Sequence, residues 1–407
     1  MDAEDRPRPT APAPLDVPGG VPRDVPDDLA GRVVTLLGSP DVPGEVGDRL
    51  RRLLHDLPAR RDRAWREEVQ HLRTVASVPW LRAPQGWREH RDLSAAVDRE
   101  LHRHRGARHA GQVFVEHAAL RAFRNRPAVR SGSGGRLGTA MLLVGPPGVG
   151  KTRLAGELAR AAGTGFSTIG LAGQSDGTAL RGFPRTYARS QPSVVTTALV
   201  RAGRRDAVIL LDEVDKLGPG GSEGRPADAL LEVLDGRGEF RDDHLDLPLP
   251  LSEVCWIATA NDLGAVPAPL LDRVEVVHVT GFARLERELL VVERLWPQVL
   301  QDVGLWPVDG VRPETRLVLR PSAARLLAAG SGTRDEEGLR TTERRLHRLL
   351  AVLAARIPHA LELLVRRPEV PALEIDEGAV ADLLPELRAH RDPGEVGGPG
   401  PMRFGYL

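Results

Sequence analysis

The sequence predicts an α/β fold: a parallel sheet with helices on both faces, preceded by a helical segment and followed by a smaller helical lid. Three observations carry this. The eight-residue stretch Gly145-Pro146-Pro147-Gly148-Val149-Gly150-Lys151-Thr152 stands between an apolar run, Met141 to Val144, and a helix-forming stretch, Arg153 to Ala162, that Gly163 stops. From Gly138 to about Gly281, apolar runs at 140–144, 166–171, 207–211, 254–260 and 274–279 alternate with helical patterns, as crossover-connected parallel strands do. Beyond residue 284 the period is helical, with Leu339, Leu346, Leu349, Leu350, Leu353 and Ile357 recurring at helical spacing.

The first observation is a strand, a glycine loop and a helix: a P-loop. Glycines at 145, 148 and 150 let the backbone turn tightly with its N–H groups inward, so that they and the helix N-terminus can hold a polyphosphate. Lys151 reaches the outer phosphates in such a loop, and the Thr152 hydroxyl takes a magnesium ion. Only two of the 56 basic residues are lysine, Lys151 and Lys216. A chain that uses arginine almost everywhere else keeps lysine where a compact point charge fits a phosphate.

At 407 residues the chain can hold two or three domains. Its formal net charge is zero, which argues against nucleic-acid binding built on a large basic excess. The single cysteine, Cys255, lies in the apolar run Val254 to Ala258 and reads as a buried strand residue, so a disulfide framework is excluded. No apolar stretch approaches membrane-spanning length, and acidic and proline-rich residues follow Met1, so a cytoplasmic protein with no membrane partner is expected.

In chain order, residues 1–46 carry nine prolines and few large apolar groups, and read as a flexible tail with room for a short helix near Leu29 to Leu37. Residues 47–130 form a helical neck: Leu50, Leu53, Leu54 and Leu57 fall on one face, then Trp65, Val69 and Leu72, with further helices near Leu93 to His104 and Gly111 to Phe123. Their arginines read as a solvated face, with inter-subunit contact as the alternative. Ser131 to Gly135 is a linker into the α/β domain at 136–283; the lid follows at 284–390 and a Gly/Pro tether at 391–407.

The run Val208 to Leu211 ends in Asp212 and Glu213, two carboxylates at the carboxyl end of a buried strand, where open α/β sheets bind ligands. Asp212 can hold magnesium and Glu213 can polarise an attacking water. Another strand, Val254 to Ala260, ends at Asn261, whose amide can orient the same water. Arg273 has two readings. One is a surface salt bridge of small worth; the other is a finger reaching a neighbouring subunit's γ-phosphate, worth about 10³ to 10⁵ in rate. Arg340, in Gly338-Leu339-Arg340, offers a second arginine of this kind.

These residues together resemble the ATPase module of the Lon protease family, of the AAA+ class. The likeness runs from about 47 to 390 through Val78-Pro79-Trp80, the phosphate loop, Arg181-Gly182 with Arg185-Thr186-Tyr187, Leu211 to Lys216, Ala229 to Asp235, Ile257 to Asn261, Leu270 to Arg273, and Gly338 to Arg340. It implies an AAA+ core binding Mg-ATP, with Asn261 as sensor 1, Arg273 as the finger acting in trans, Arg340 as sensor 2, and a homo-oligomeric ring, a hexamer. It also implies that Tyr187 lines a central pore and grips a protein substrate; a tyrosine packed on its own loop is the alternative. Ala188 and Arg189 stand where the family has Val-Gly, and Phe183 where it has histidine. Pro219 to Gly224 lies where a second pore loop would be.

No Ser-Lys peptidase dyad is expected, because both lysines lie in the nucleotide motifs, nor is the family's large N-terminal domain. An ATPase that remodels, unfolds or translocates proteins without its own peptidase is therefore expected. The ending Phe404-Gly405-Tyr406-Leu407 resembles the tail by which proteasome activators dock on a separate peptidase ring, while Met402-Arg403-Phe404 resembles the exit of Lon chains from the ATPase module. Two other functions stay open: a regulatory ATP switch that assembles on a partner without threading, and a nucleic-acid motor, against which the charge and the lack of a DNA-reading module after the lid argue.

Overall fold

The computed structural model describes residues 21–22, 24–59, 61–82, 87–88, 90–101, 105–124, 140–187, 190–220, 224–235, 240–304, 317–329, 339–366 and 372–390. The linker at 131–135, Gly338, and the tail with Phe404 to Leu407 lie outside them. The chain divides into two compact units that are discontinuous in sequence. One takes the chain up to residue 97, then 113–143 and 155–277; the other takes 98–112, 144–154 and 278 onward. The boundaries read from sequence were contiguous.

In the first unit, α1 (Asp27–Leu37), α2 (Gly44–His55) and α3 (Arg63–Ser77) pack on one another. Their buried stripes are Leu29, Val33 and Leu36; Val46, Leu50, Leu53 and Leu54; and Val69, Leu72 and Val75. The short helix expected near Leu29 to Leu37 is present as α1, the end of the stretch expected as a tail enters α2 at Gly44, and residues 1–20 of that tail lie outside the described residues. The prolines counted there against order include Pro26 and Pro43, which stand at the N-cap positions of α1 and α2 with φ −54° and −55°. A proline starts a helix without loss, since no intrahelical acceptor awaits its missing N–H. Two further helices, α4 (His90–Leu101) and α5 (Arg108–Arg124), precede the sheet.

The sheet comprises β1 (Ala140–Val144), β2 (Phe166–Gly170), β3 (Val208–Asp212), β6 (Cys255–Ala260) and β7 (Glu275–His278) in the order β2-β3-β6-β1-β7. The strands match the five apolar runs. β2 pairs with β3, and β3 with β6, in parallel register, Phe166 beside Val208 and Val208 beside Cys255. Every residue of β1 and β6 is buried, Cys255 included, as two-sided burial requires of a continuous apolar run. Between strands run α6 (Lys151–Ala162), α7 (Thr178–Arg181), α8 (Val194–Ala202), α9 (Pro226–Leu234), the short antiparallel pair β4 (Arg241–Asp242) and β5 (Leu247–Pro248), and α10 (Ala268–Leu271). Helix α8 starts under a Ser193 cap that accepts from Thr196 N–H at 2.9 Å and stops at Gly203, φ +70°.

The second unit holds α11 (Arg284–Leu290), a π-helical turn (Val291–Leu295), α12 (Trp296–Asp302), α13 (Pro321–Ala328), α14 (Leu339–Arg356), α15 (Pro358–Arg366) and α16 (Glu377–Leu383). Trp296, Leu300, Leu346, Leu349, Leu350 and Leu353 are central to its core. The lid is helical as expected and carries in addition one parallel pair, β8 (Leu317–Leu319) and β9 (Leu373–Ile375). Three-residue strands are too short for a period of two to register in sequence.

Candidate nucleotide site

The phosphate loop follows β1 and ends where α6 begins at Lys151. Gly148 and Gly150 take φ of +83° and +87°, values that side-chain-bearing residues rarely adopt. Gly145 is glycine for another reason: a Cβ there would overlap the carbonyl oxygen of Val279, whose N–H donates to Val144 O at 2.8 Å. Lys151 is 8% exposed, and its Nζ donates to Gly145 O at 2.7 Å and Pro146 O at 2.9 Å. The ammonium is thus folded against its own loop, its charge met by neutral carbonyls. Leu339 N–H, at the start of α14, donates to Gly148 O at 2.9 Å, which sets the exposed Arg340 one residue from a backbone anchor on the phosphate loop.

At the carboxyl ends of β3 and β6 the acids are held by groups that sequence reading missed. Thr259, on β6, donates its hydroxyl to Asp212 Oδ1 at 2.6 Å and accepts from Glu213 N–H at 2.9 Å. Glu213 is left-handed, φ 62° and ψ 54°, one of two non-glycine residues with positive φ among the described residues. Asp215, whose carboxylate is shut off from solvent, accepts through Oδ2 from the backbone N–H of Asn261 at 3.1 Å and of Asp262 at 3.3 Å. The available signal was a threonine in an otherwise apolar strand.

Arg273 is placed by the structure in an ion pair within its own chain, Nη1 to Asp235 Oδ1 at 2.8 Å, just past α9, with both side chains about a quarter exposed. Asp235 lay in a quoted motif, but its contact with Arg273 was not foreseen.

Tyr187 is 64% exposed on a loop whose ends are bridged by Phe183 N–H donating to Gln191 O at 2.9 Å. Ala188 and Arg189, and 221–223 of the second loop, lie outside the described residues. Around the loop's base sits an unforeseen chain of polar groups. Ser190 Oγ lies 2.7 Å from His244 Nδ1, and His244 Nε2 lies 3.4 Å from His71 Nδ1 on α3. Arg185 forks onto Glu68 of α3 at 2.5 and 3.1 Å. Burial, with the positive Arg185 next in weight, pushes the His71 pKa down from 6.5 to about 3; burial also lowers that of His244.

Each unit carries groups of the kind that suit a magnesium-bound nucleotide: in one, a buried ammonium on a glycine loop with the Thr152 hydroxyl beside it in sequence; in the other, a carboxylate at Asp212 fixed by a buried donor. Among the described residues no cluster of three His, Cys, Asp or Glu forms a separate metal site, and no helix is long and apolar enough to cross a membrane. Residues 141–281 match the family described as ATPase family associated with various cellular activities (AAA). The chain is 38% identical over 292 residues to the Lon protease of Frankia alni, which covers 70% of this chain and 32% of that relative. It is 38% identical over 345 residues to the Lon protease of Salinispora arenicola, covering 78% of this chain and 42% of the relative. With the peroxisomal Lon protease homolog 2 of Arabidopsis thaliana the identity is 39% over 238 residues, 58% of this chain and 25% of the relative. The chain therefore carries an AAA domain at 141–281 and, with it, the ATPase module of the Lon protease family.

Proposed function

We propose that this protein hydrolyses Mg-ATP in a homo-oligomeric ring and uses the cycle to pull protein substrates past Tyr187. The observation that carries the threading reading is the exposed Tyr187 on a bridged loop, an aromatic presented to solvent where burial would ordinarily be favoured. Lys151 and the backbone N–H groups of Gly145, Gly148, Val149 and Gly150 hold the phosphates, around the turn that Pro146 and Pro147 shape, and Thr152 and Asp212 hold the magnesium. The ion, when bound, neutralises charge that develops on the transferring phosphoryl group. Glu213 accepts the proton of the attacking water, and Asn261 orients that water. Arg273 leaves Asp235 to reach a neighbour's nucleotide, and Arg340 follows the nucleotide from the start of α14. The 407 residues hold no lysine outside the nucleotide motifs, so they supply none for a Ser-Lys dyad. Peptide cleavage on this reading belongs to a separate peptidase ring, for which the ending Phe404 to Leu407 is the candidate contact.

The test is Tyr187→Ala in an ATP-driven unfolding assay on a tagged fluorescent protein, with ATPase measured in parallel. Unfolding is expected to fall about tenfold or more while ATPase stays within about threefold, since one aromatic contact is removed and no nucleotide-binding group is changed. Unchanged unfolding would reject the threading role. Unfolding absent from the wild-type protein as well would favour the regulatory switch.

A further inference from the structure

We infer that Thr259 is a positioning residue for hydrolysis, acting on Asp212 and Glu213 through one hydroxyl. The inference rests on the nucleotide reading above.

Thr259 is 1% exposed and is the next-to-last residue of β6, whose other members are Cys255, Trp256, Ile257, Ala258 and Ala260. A hydroxyl in such a strand is costly unless it is bonded, and a valine would fill the same space. The two bonds already described account for it: one proton donated to Asp212 Oδ1 and one lone pair facing Glu213 N–H. Those two residues are the ones whose placement hydrolysis needs.

Glu213 depends on the contact more than Asp212 does. Asp212 is held in the β3 ladder, with Gly170 opposite it. Glu213 has left the ladder in a left-handed conformation, which persists in a non-glycine residue only where the surroundings over-determine it. The Thr259 oxygen supplies that constraint, since it accepts the N–H of the strained residue itself.

A reciprocal tie completes the arrangement. The hydroxyl of β6 holds the acids of β3, while Asp215, in the turn that follows β3, holds the amides of Asn261 and Asp262 beyond β6. The two strand ends form one clasp, so the group that polarises water and the group that orients it cannot shift independently. The nearest ladder pair, Leu211 with Ala258, lies immediately behind the clasp and leaves it little slack.

The test compares Thr259→Val, which removes the hydroxyl and keeps the shape, with Thr259→Ser, which keeps the hydroxyl. Valine is expected to lower kcat for ATP hydrolysis about 10- to 10²-fold, the cost of a small misplacement, with the Kd for a fluorescent ATP analogue within about threefold. Serine restores kcat to within about threefold of wild type. Placed on Glu213→Gln, Thr259→Val lowers the residual rate by less than it lowers the wild-type rate, because the share that acts through the Glu213 carboxylate is already missing. Wild-type turnover in Thr259→Val, or equal losses in valine and serine at unchanged Tm, would overturn the inference. Should valine unfold the sheet in a thermal melt, Thr259→Ala replaces it with the same expectation. If Glu213→Gln itself turns over normally, the catalytic role of Glu213 falls and takes this inference with it. If Glu213→Gln is inactive while Thr259→Val is normal, this inference alone falls.

Discussion

The carboxyl ends of β3 and β6 and the loop from Phe183 to Gln191 each present a residue in an exposed or strained position, yet they are held in different ways. Glu213 is fixed by a threonine hydroxyl, and the neighbouring turn by a carboxylate on backbone amides, with no histidine among these contacts. The Tyr187 loop rests on Ser190, His244 and His71 in series and on the Arg185–Glu68 fork. A hydroxyl on a peptide N–H does not titrate near neutral pH, whereas burial favours the neutral ring at His71, which is buried, and at His244, which is half-buried. The first region should therefore answer to deletion of single groups, and the second to pH as well.

The largest effect expected from this difference is at the edge. Glu213→Gln should keep nucleotide binding and lose hydrolysis by about 10²- to 10⁴-fold, the range for a positioned general base. Steady-state ATPase beside analogue binding measures both, and ordinary turnover would remove Glu213 from the reaction.

Next in size is the loop's response to acid. The folded His71 value of about 3 lies below the ordinary 6.5, so the fold favours the neutral ring. Its contribution is complete above pH 6.5 and is lost as pH falls toward 3; about 1–2 kcal/mol should be gone by pH 5. Thermal melts at pH 7, 6 and 5 should show that slope in the wild type and a flatter one in His71→Leu. Parallel slopes in the two proteins would break the contrast between the regions.

The smallest effect is reserved for Arg185. Its fork onto Glu68 leaves the two side chains 33% and 28% exposed, so water screens the pair. A double-mutant cycle with Arg185→Ala and Glu68→Ala should give a coupling of about 0.5 to 1 kcal/mol, weaker in salt. A coupling well above that would make the ion pair, and not the imidazoles, the principal anchor of the loop.

The middle of the sheet was legible because β1, β3 and β6 are buried on both faces and read as nearly unbroken apolar runs, with edges within a residue or two of Ala140–Val144 and Cys255–Ala260. The phosphate loop was legible because glycine positions report backbone conformation, as φ at Gly148 and Gly150 bears out. Proline misled in the first 46 residues: a count of prolines measures disorder only when they interrupt helices, and Pro26 and Pro43 start them. Arg273 was legible as one half of a salt bridge, but its partner was not, since nothing local points from it to Asp235.

What the sequence determined by itself is therefore local: the strands, the glycine loop, the acids at a strand end, and helices spaced by their leucines, all set by patterns within a dozen residues. Tertiary structure alone decided the pairings that give those residues their state. Thr259 meets Glu213 across 46 residues, Asp235 meets Arg273 across 38, and His71 meets His244 across 173. The physical reason is that a hydrogen bond or ion pair of this kind needs only a partner within about 3 Å. Many side chains along the chain could supply that partner, and the packing of the sheet and helices selects which one arrives.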